Sequence, residues 1–277
     1  MDYHSDRFFD HSLLFFKNSK LLCILPANMR QAILYSHEGL TFGGIISDRD
    51  MKVSIMLDVF DALSEHCKKE GVKEIFYRTI PYIYHSIPTE EDLYALFCHR
   101  AELVGRSVSL AIYLSSASQF EINRIRTIKK AKKSLVVKES FDLKLFMEMV
   151  EASLMERHGA KPTHSVSELQ LLADRFPNNI KLFASFKDNV MLAGVLMYES
   201  KNVAKVQYVA NSKAGRSLGA GDIVFDYLIN EHYKNKKFFD FGTSMLPQGL
   251  SLNVGLIDYK EGFGARTVVY DCYKFSP

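Results

Sequence analysis

The sequence predicts an α/β protein in which two mixed-sheet units follow one another. Three observations carry that expectation. Short apolar runs of strand length alternate with amphipathic stretches of helical period. The order three strands, helix, strand, helix, strand occurs twice along the 277 residues. Within that order, Val59-Phe60-Asp61-Ala62-Leu63 is echoed by Val224-Phe225-Asp226-Tyr227-Leu228, a V-F-D-x-L pattern at the same place 165 positions later. A single mixed α/β domain with a coincidental echo is the alternative reading.

In the first half, apolar runs at 21–25, 32–35 and 41–46 read as a strand meander. Residues 51–70 follow with Val53, Met56, Leu57, Phe60 and Leu63 at helical spacing, and Gly71 stops the helix. A strand at 74–78 leads to a helix opening at Thr89, whose first turn holds Glu90, Glu91 and Asp92, where the helix dipole favours acids. A strand at 107–113 closes the unit. The second half adds two helices, 141–157 and 165–176. The latter opens Ser165-Val166-Ser167-Glu168, a capping box in which Ser165 and Glu168 satisfy each other's free amides. Strands at 181–186, 190–199 and 203–210, a helix at 219–233, a strand at 237–241, a short helix near 253–260 and a last strand at 266–274 complete it. The expected domains are 1–122 and 123–277.

Composition limits the function classes. Hydrophobic residues form 47% and charged residues 24%, enough for a real core. No apolar run approaches the roughly 20 residues that span a bilayer, and the acidic start Met1-Asp2-Tyr3-His4-Ser5-Asp6 is unlike a signal peptide. A cytoplasmic location is the expectation. Cys23, Cys67, Cys98 and Cys272 are dispersed, as reduced thiols would be, and no metal site is expected. The net charge of +3 does not argue for DNA. One segment is locally basic: residues 123–133 hold six cations and no acid. As a helix it would present Arg126, Lys129, Lys130 and Lys133 as one stripe.

Several stretches resemble the Fem-like branch of the GNAT acyltransferase superfamily, whose members carry two such units in tandem. They are Ser36-His37-Glu38-Gly39-Leu40-Thr41-Phe42-Gly43-Gly44, Phe239-Asp240-Phe241-Gly242, Gly255-Leu256-Ile257-Asp258-Tyr259-Lys260-Glu261-Gly262-Phe263-Gly264, the basic segment, and Arg157-His158 with Pro162-Thr163-His164-Ser165. The resemblance spans roughly residues 20–277. It implies acyl transfer to an amine, from acyl-CoA or, as in Fem enzymes, from aminoacyl-tRNA. The long coiled-coil arm of some Fem proteins is lacking.

Such chemistry needs the donor's phosphates held, the carbonyl polarised and a proton removed from the amine. Arg216-Ser217-Leu218-Gly219-Ala220-Gly221 resembles the GNAT phosphate loop (Q/R-x-x-G-x-G/A), where outward amides and a helix N-terminus attract an anion. A flexible strand–helix turn is the bland alternative. The first unit's counterpart, Ser47-Asp48-Arg49-Asp50-Met51, is acidic and without glycine. The resemblance implies a functional lysine at Lys260, to meet developing negative charge; a surface lysine on a helix C-terminus is the alternative. Asp240 is a candidate base or a cap of the Gly242 turn. His37 is a further base candidate, and His164 a substrate contact or a helix cap; a hydrogen-bonded structural histidine is the alternative for each. Gln207 and Tyr208 would line the acceptor channel, with a core-strand tyrosine as the alternative for Tyr208. Arg124, Arg126, Lys129 and Lys130 would hold the phosphates of a lipid- or nucleotide-linked amine acceptor, or of tRNA, unless they form a solvated face. The overall expectation is an N-acyltransferase using acyl-CoA, the acceptor entering between the two units. The rivals are an aminoacyl-tRNA-dependent enzyme and an inactive binding module.

Overall fold

The computed structural model describes residues 6–116, 120–246 and 251–277, with the side chains of 157 and 158 left outside the description. The Arg157-His158 pair and most of the acidic start therefore lie outside the described side chains. The chain is mixed α/β, as the alternating periods require. It forms two compact units, 1–108 with 268–277, and 109–267.

In the first unit, β1 (Leu13–Lys17) and β2 (Lys20–Leu25) form an antiparallel hairpin. β3 (Asn28–Arg30) and β4 (Ile33–Tyr35) follow, then β5 (Ile46–Ser47), which pairs with β2. The expected strand at 41–46 is reduced to that bridge. Gly43 lies so close to the Ser36 carbonyl that a Cβ would stand 2.0 Å from its oxygen, and Gly44 takes φ +90°. The segment is thus a loop pressed on the sheet. α1 (Val53–Lys69) crosses from β4 to β6 (Glu74–Arg78), and the two strands run parallel. Met56, Val59, Phe60, Leu63 and Cys67 of α1 are buried at the predicted spacing. A 3-10 turn at Tyr82–Tyr84 and α2 (Glu91–Cys98), with Glu91 and Asp92 in its first turn, lead to β7 (Glu102–Tyr113).

In the second unit, the basic segment forms α3 (Ile122–Ala131), and β8 (Val136–Ser140) adds an edge strand that the apolar pattern did not announce. α4 (Leu143–His158) is capped by the Asp142 side chain. α5 (Val166–Arg175) has the Ser165–Glu168 capping box complete. β9 (Ile180–Lys187), β10 (Val190–Glu199) and β11 (Val203–Asn211) are an antiparallel meander. The expected helix at about 219–233 is formed by α7 (Ala220–Tyr227) and a π-helical turn at Leu228–His232, and an additional short helix, α6 (Lys213–Leu218), precedes it. β12 (Phe238–Thr243) runs parallel to β11, and its other edge pairs with residues 109–113 of β7. α8 (Val254–Glu261) follows, with Asn253 as its cap.

The last strand, β13 (Arg266–Phe275), pairs antiparallel with β6. That pairing is why the compact units are drawn differently from the expected halves at 122/123. The end of β7 belongs to the second unit, and residues 268–277 belong to the first. The two occurrences of V-F-D-x-L lie in α1 and across the end of α7, with Leu228 in the π-helical turn; α1 and α7 are the crossover helices of the parallel pairs β4–β6 and β11–β12. Their Val, Phe and Leu side chains are buried in both.

Candidate functional site in the second unit

The parallel pairing of β11 and β12 spans only Val203↔Phe238, Ala204↔Phe239 and Lys205↔Asp240. Beyond it β11 continues to Asn211 and β12 to Thr243 without a shared ladder, so the two strands come apart just past Lys205 and Asp240. Polar groups collect at that opening. Asp240 is fully buried, and its Oδ1 accepts from Ser109 Oγ (2.8 Å) and from the Gly242 amide (2.8 Å). The second bond is the turn cap that the sequence offered as Asp240's alternative role; Gly242 has φ +76°.

Lys260, near the C-terminus of α8, is also buried. Its Nζ donates to Gly242 O (2.7 Å), Thr243 O (3.1 Å) and Ser244 Oγ (2.8 Å). The exposed-lysine reading is therefore excluded. All three bonds hold the turn that ends β12. Burial pushes the ammonium down to about 8, the charge of Asp240 opposes that, and the charge of Lys205 adds to it.

Lys205 was not singled out in the sequence. It stands opposite Asp240, donates to Gln207 Oε1 (2.9 Å), and has its affinity for a proton lowered by burial against the pull of Asp240. The signal was available: a lysine and a glutamine two apart inside an otherwise apolar strand share one face. Ser109 carried no local signal, because only the pairing of β7 with β12 brings it to Asp240.

The other candidates fall elsewhere. Gln207 is held by Lys205, whereas Tyr208 stands at the bulge where β11 shifts register against β10. There its hydroxyl meets His164, 2.8 Å from Nδ1 and 3.3 Å from the His164 amide. Burial raises the Tyr208 hydroxyl above its ordinary range. His37 lies in the first unit, in a pocket of about 280 Å³ lined by Tyr35, Ser36, Glu38, Phe76 and Arg78. It adopts φ +56°, and its Nδ1 accepts from the Gly39 amide at 3.2 Å.

The glycine-rich segment is not an open loop. Ser212 caps α6, Gly219 ends it at φ +71°, and α7 starts at once. Ser217 bonds back to Ala214 O, and Arg216 reaches Asn211 O and Glu156. Leu218 is half-buried, and residues 219–222, including Ala220, are buried. A Cβ on Gly219 would lie 2.5 Å from Thr127 Cγ2, and one on Gly221 would lie 2.9 Å from Asn211 Nδ2. Gly219 is required by the close packing of α3 over the start of α7, and Gly221 by the close approach of Asn211 at the end of β11.

Arg124, expected on the acceptor, is taken up there. It forms an ion pair with Asp222 (2.8 Å) and lies 4.3 Å and 4.6 Å from the ring centroids of Tyr259 and Phe263. Tyr259 donates to the other Asp222 oxygen at 2.8 Å. Arg126, Lys129 and Lys130 are exposed, as the stripe predicts.

No protein-family model and no curated protein matches the chain. Solved structures do. FemX superposes with a TM-score of 0.70 at 12% identity, covering 97% of this chain and 89% of its own. The C-terminal domain of a putative lysylphosphatidylglycerol synthetase from Agrobacterium fabrum gives 0.62 at 11%, covering 95% and 83%. A tandem GNAT protein from the clavulanic acid biosynthesis pathway gives 0.52 at 9%, covering 98% and 85%. The chain thus has a Fem/GNAT-like fold.

Proposed function

We propose that this chain is a transferase that moves an acyl or aminoacyl group to an amine at the opened end of β11 and β12. The observation that carries the reading is the cluster of the buried Asp240 and Lys260 with the half-buried Lys205, where a parallel strand pair parts. Two strand edges without a shared ladder can hold the amides of an extended donor as an added strand would. A buried ammonium beside the reacting carbonyl meets the charge that develops on its oxygen. In this reading Lys205 presents that ammonium, Asp240 balances both lysines, and Lys260 sets the position of the turn. The fold shared with FemX and with lysylphosphatidylglycerol synthetase supports transfer chemistry.

Acyl-CoA remains the proposed donor. The aminoacyl-tRNA reading is favoured by one observation: the start of α7, expected to cradle the CoA phosphates, is closed by Thr127 over Gly219. Both donors are tested together. The chain is incubated with a panel of radiolabelled CoA thioesters, or with a charged tRNA pool, and with a mixed amine acceptor. Transfer from CoA that falls tenfold or more in Lys205→Met and Asp240→Asn, about what one lost charge-stabilising contact does, supports the first donor. The same pattern from charged tRNA alone moves the donor to tRNA. No transfer from either sinks the enzyme reading and leaves a binding module.

A further inference from the structure

α3 carries a surface that the transfer reaction does not explain. At 100° per residue, Arg124, Thr127, Ile128 and Ala131 fall on one face. There Arg124 is bound to Asp222, Thr127 lies against Gly219, and Ile128 and Ala131 are buried. The opposite face consists of Ile122, Ile125, Arg126, Lys129, Lys130 and Lys133. Every one is exposed, the two isoleucines by 67% and 50%. None of the four cations has an ion pair among the described residues, whereas the neighbouring Lys132, nearer the packed side, is held by Asp226 at 2.7 Å. Glu121, the acid at the start of the helix, lies toward Gly262, whose Cβ would stand 3.4 Å from its Oε2.

We propose that this face docks the protein on an anionic lipid surface. Solvation accounts for lysines and arginines, but not for two exposed β-branched apolar side chains set among them. A nucleic acid would engage the cations through its phosphates and leave the isoleucines in water. A bilayer interface uses both: apolar side chains enter the boundary between headgroups and acyl chains while cations contact lipid phosphates. The negative charge of the lipid complements a face that has four cations and no acid. The inference does not rest on the transfer reaction, and it stands or falls separately from it.

The chain contains no tryptophan, so Ile125→Trp supplies a single indole, excited apart from the tyrosines at the red edge of the absorption band, at the centre of the face. The full chain is mixed with vesicles of phosphatidylcholine alone, or with about one part in three phosphatidylglycerol, over roughly 50–500 mM salt. Sedimentation reads binding, and the Ile125→Trp emission reads insertion. The expected result is partition onto the anionic vesicles only, weakening with salt, with a blue shift of the emission. Near a charged surface each cation contributes about fivefold. Replacing Arg126, Lys129, Lys130 and Lys133 with glutamine should therefore lower partition by about two powers of ten or more. The double variant Ile122→Ser/Ile125→Ser should lower it with the cations intact, its helix content matching wild type by circular dichroism. Absence of a preference for anionic vesicles overturns the proposal. So does binding of single-stranded RNA that needs the cations but not the isoleucines, with an unshifted Ile125→Trp emission; the face is then a nucleic-acid contact.

Discussion

Lys260 shows how one buried charge can be read in solution. Its ammonium is pushed from 10.5 down to about 8, chiefly by burial. Below pH 8 both folded and unfolded chains hold the proton, and the folded state carries the whole penalty, about 3 kcal/mol. Between pH 8 and 10.5 the folded chain releases the proton while the unfolded chain keeps it, so stability rises with pH across that window. Lys260→Met removes the group. Denaturant melts of both proteins from pH 7 to 10.5 should therefore show wild type gaining on the variant by up to about 3 kcal/mol. A constant difference would mean that the ammonium is not desolvated. The variant should also start well below wild type, because it orphans Gly242 O, Thr243 O and Ser244 Oγ, each worth about 1–3 kcal/mol when left unsatisfied. The thiols obey the same physics. Burial raises Cys23 and Cys67 to about 11, while Cys98 is exposed. Brief alkylation near neutral pH, read by mass spectrometry, should modify Cys98 and spare the other two. Fast labelling of Cys23 or Cys67 would contradict their burial.

Elements carry the next set of consequences, and Gly219 is the clearest. It ends α6 and opens α7 in the left-handed region, and its missing Cβ is what lets Thr127 of α3 approach. A valine there would combine left-handed strain of about 1–2 kcal/mol with overpacking of about 1–3 kcal/mol. We expect Gly219→Val to lower stability by about 3 kcal/mol or more in chemical denaturation, whatever donor the protein uses. Gly219→Ala paired with Thr127→Ser, which deletes the clashing methyl, should recover the packing part and leave the backbone part. Without recovery, the clash is not what fixes this glycine. Glycines near a helix start look alike in sequence whether they admit a ligand or a neighbouring helix, so the close approach of Thr127 was not legible there. Periodicity made α1, α4, α5 and the meander β9–β11 legible, and residue type made the Ser165 cap legible. β8 and the loop at 41–45 were not, since their placement is set by partners distant in sequence, and β1 was missed although it pairs with the adjacent β2. The site was half legible for the same reason: Asp240 and Lys260 sit in recognisable motifs, whereas Ser109 enters only through strand pairing.

At the scale of the whole molecule, order along the chain and compactness in space divide it differently. The repeated element order ends each half with a strand, β7 or β13. Yet residues 109–113 of β7 pair with β12 in the second unit, and β13 pairs with β6 in the first. The C-terminal strand therefore completes the N-terminal core. Phe275 is buried in the cluster built on Phe60, Leu63 and Ile75, with its ring 6.0 Å from that of Phe60. Asp271 holds the Thr79 amide through its carbonyl at 3.1 Å and Arg106 through its carboxylate at 2.7 Å. Removing residues 268–277 takes away the neighbour of β6 and a buried phenylalanine whose truncation alone is worth about 3–5 kcal/mol. That loss falls on residues about 200 positions upstream, not on the sequence next to the cut. A chain ending at Thr267 should lose hydrogen-exchange protection through α1 and β6 while keeping it in β9, β10 and α7. Phe275→Ala should produce the same pattern in milder form. Its effect should be non-additive with that of Phe60→Leu in a double-mutant cycle, because the two rings touch. Protection lost from the second unit first, or lost uniformly, would show that the last strand does not belong where its pairing with β6 puts it.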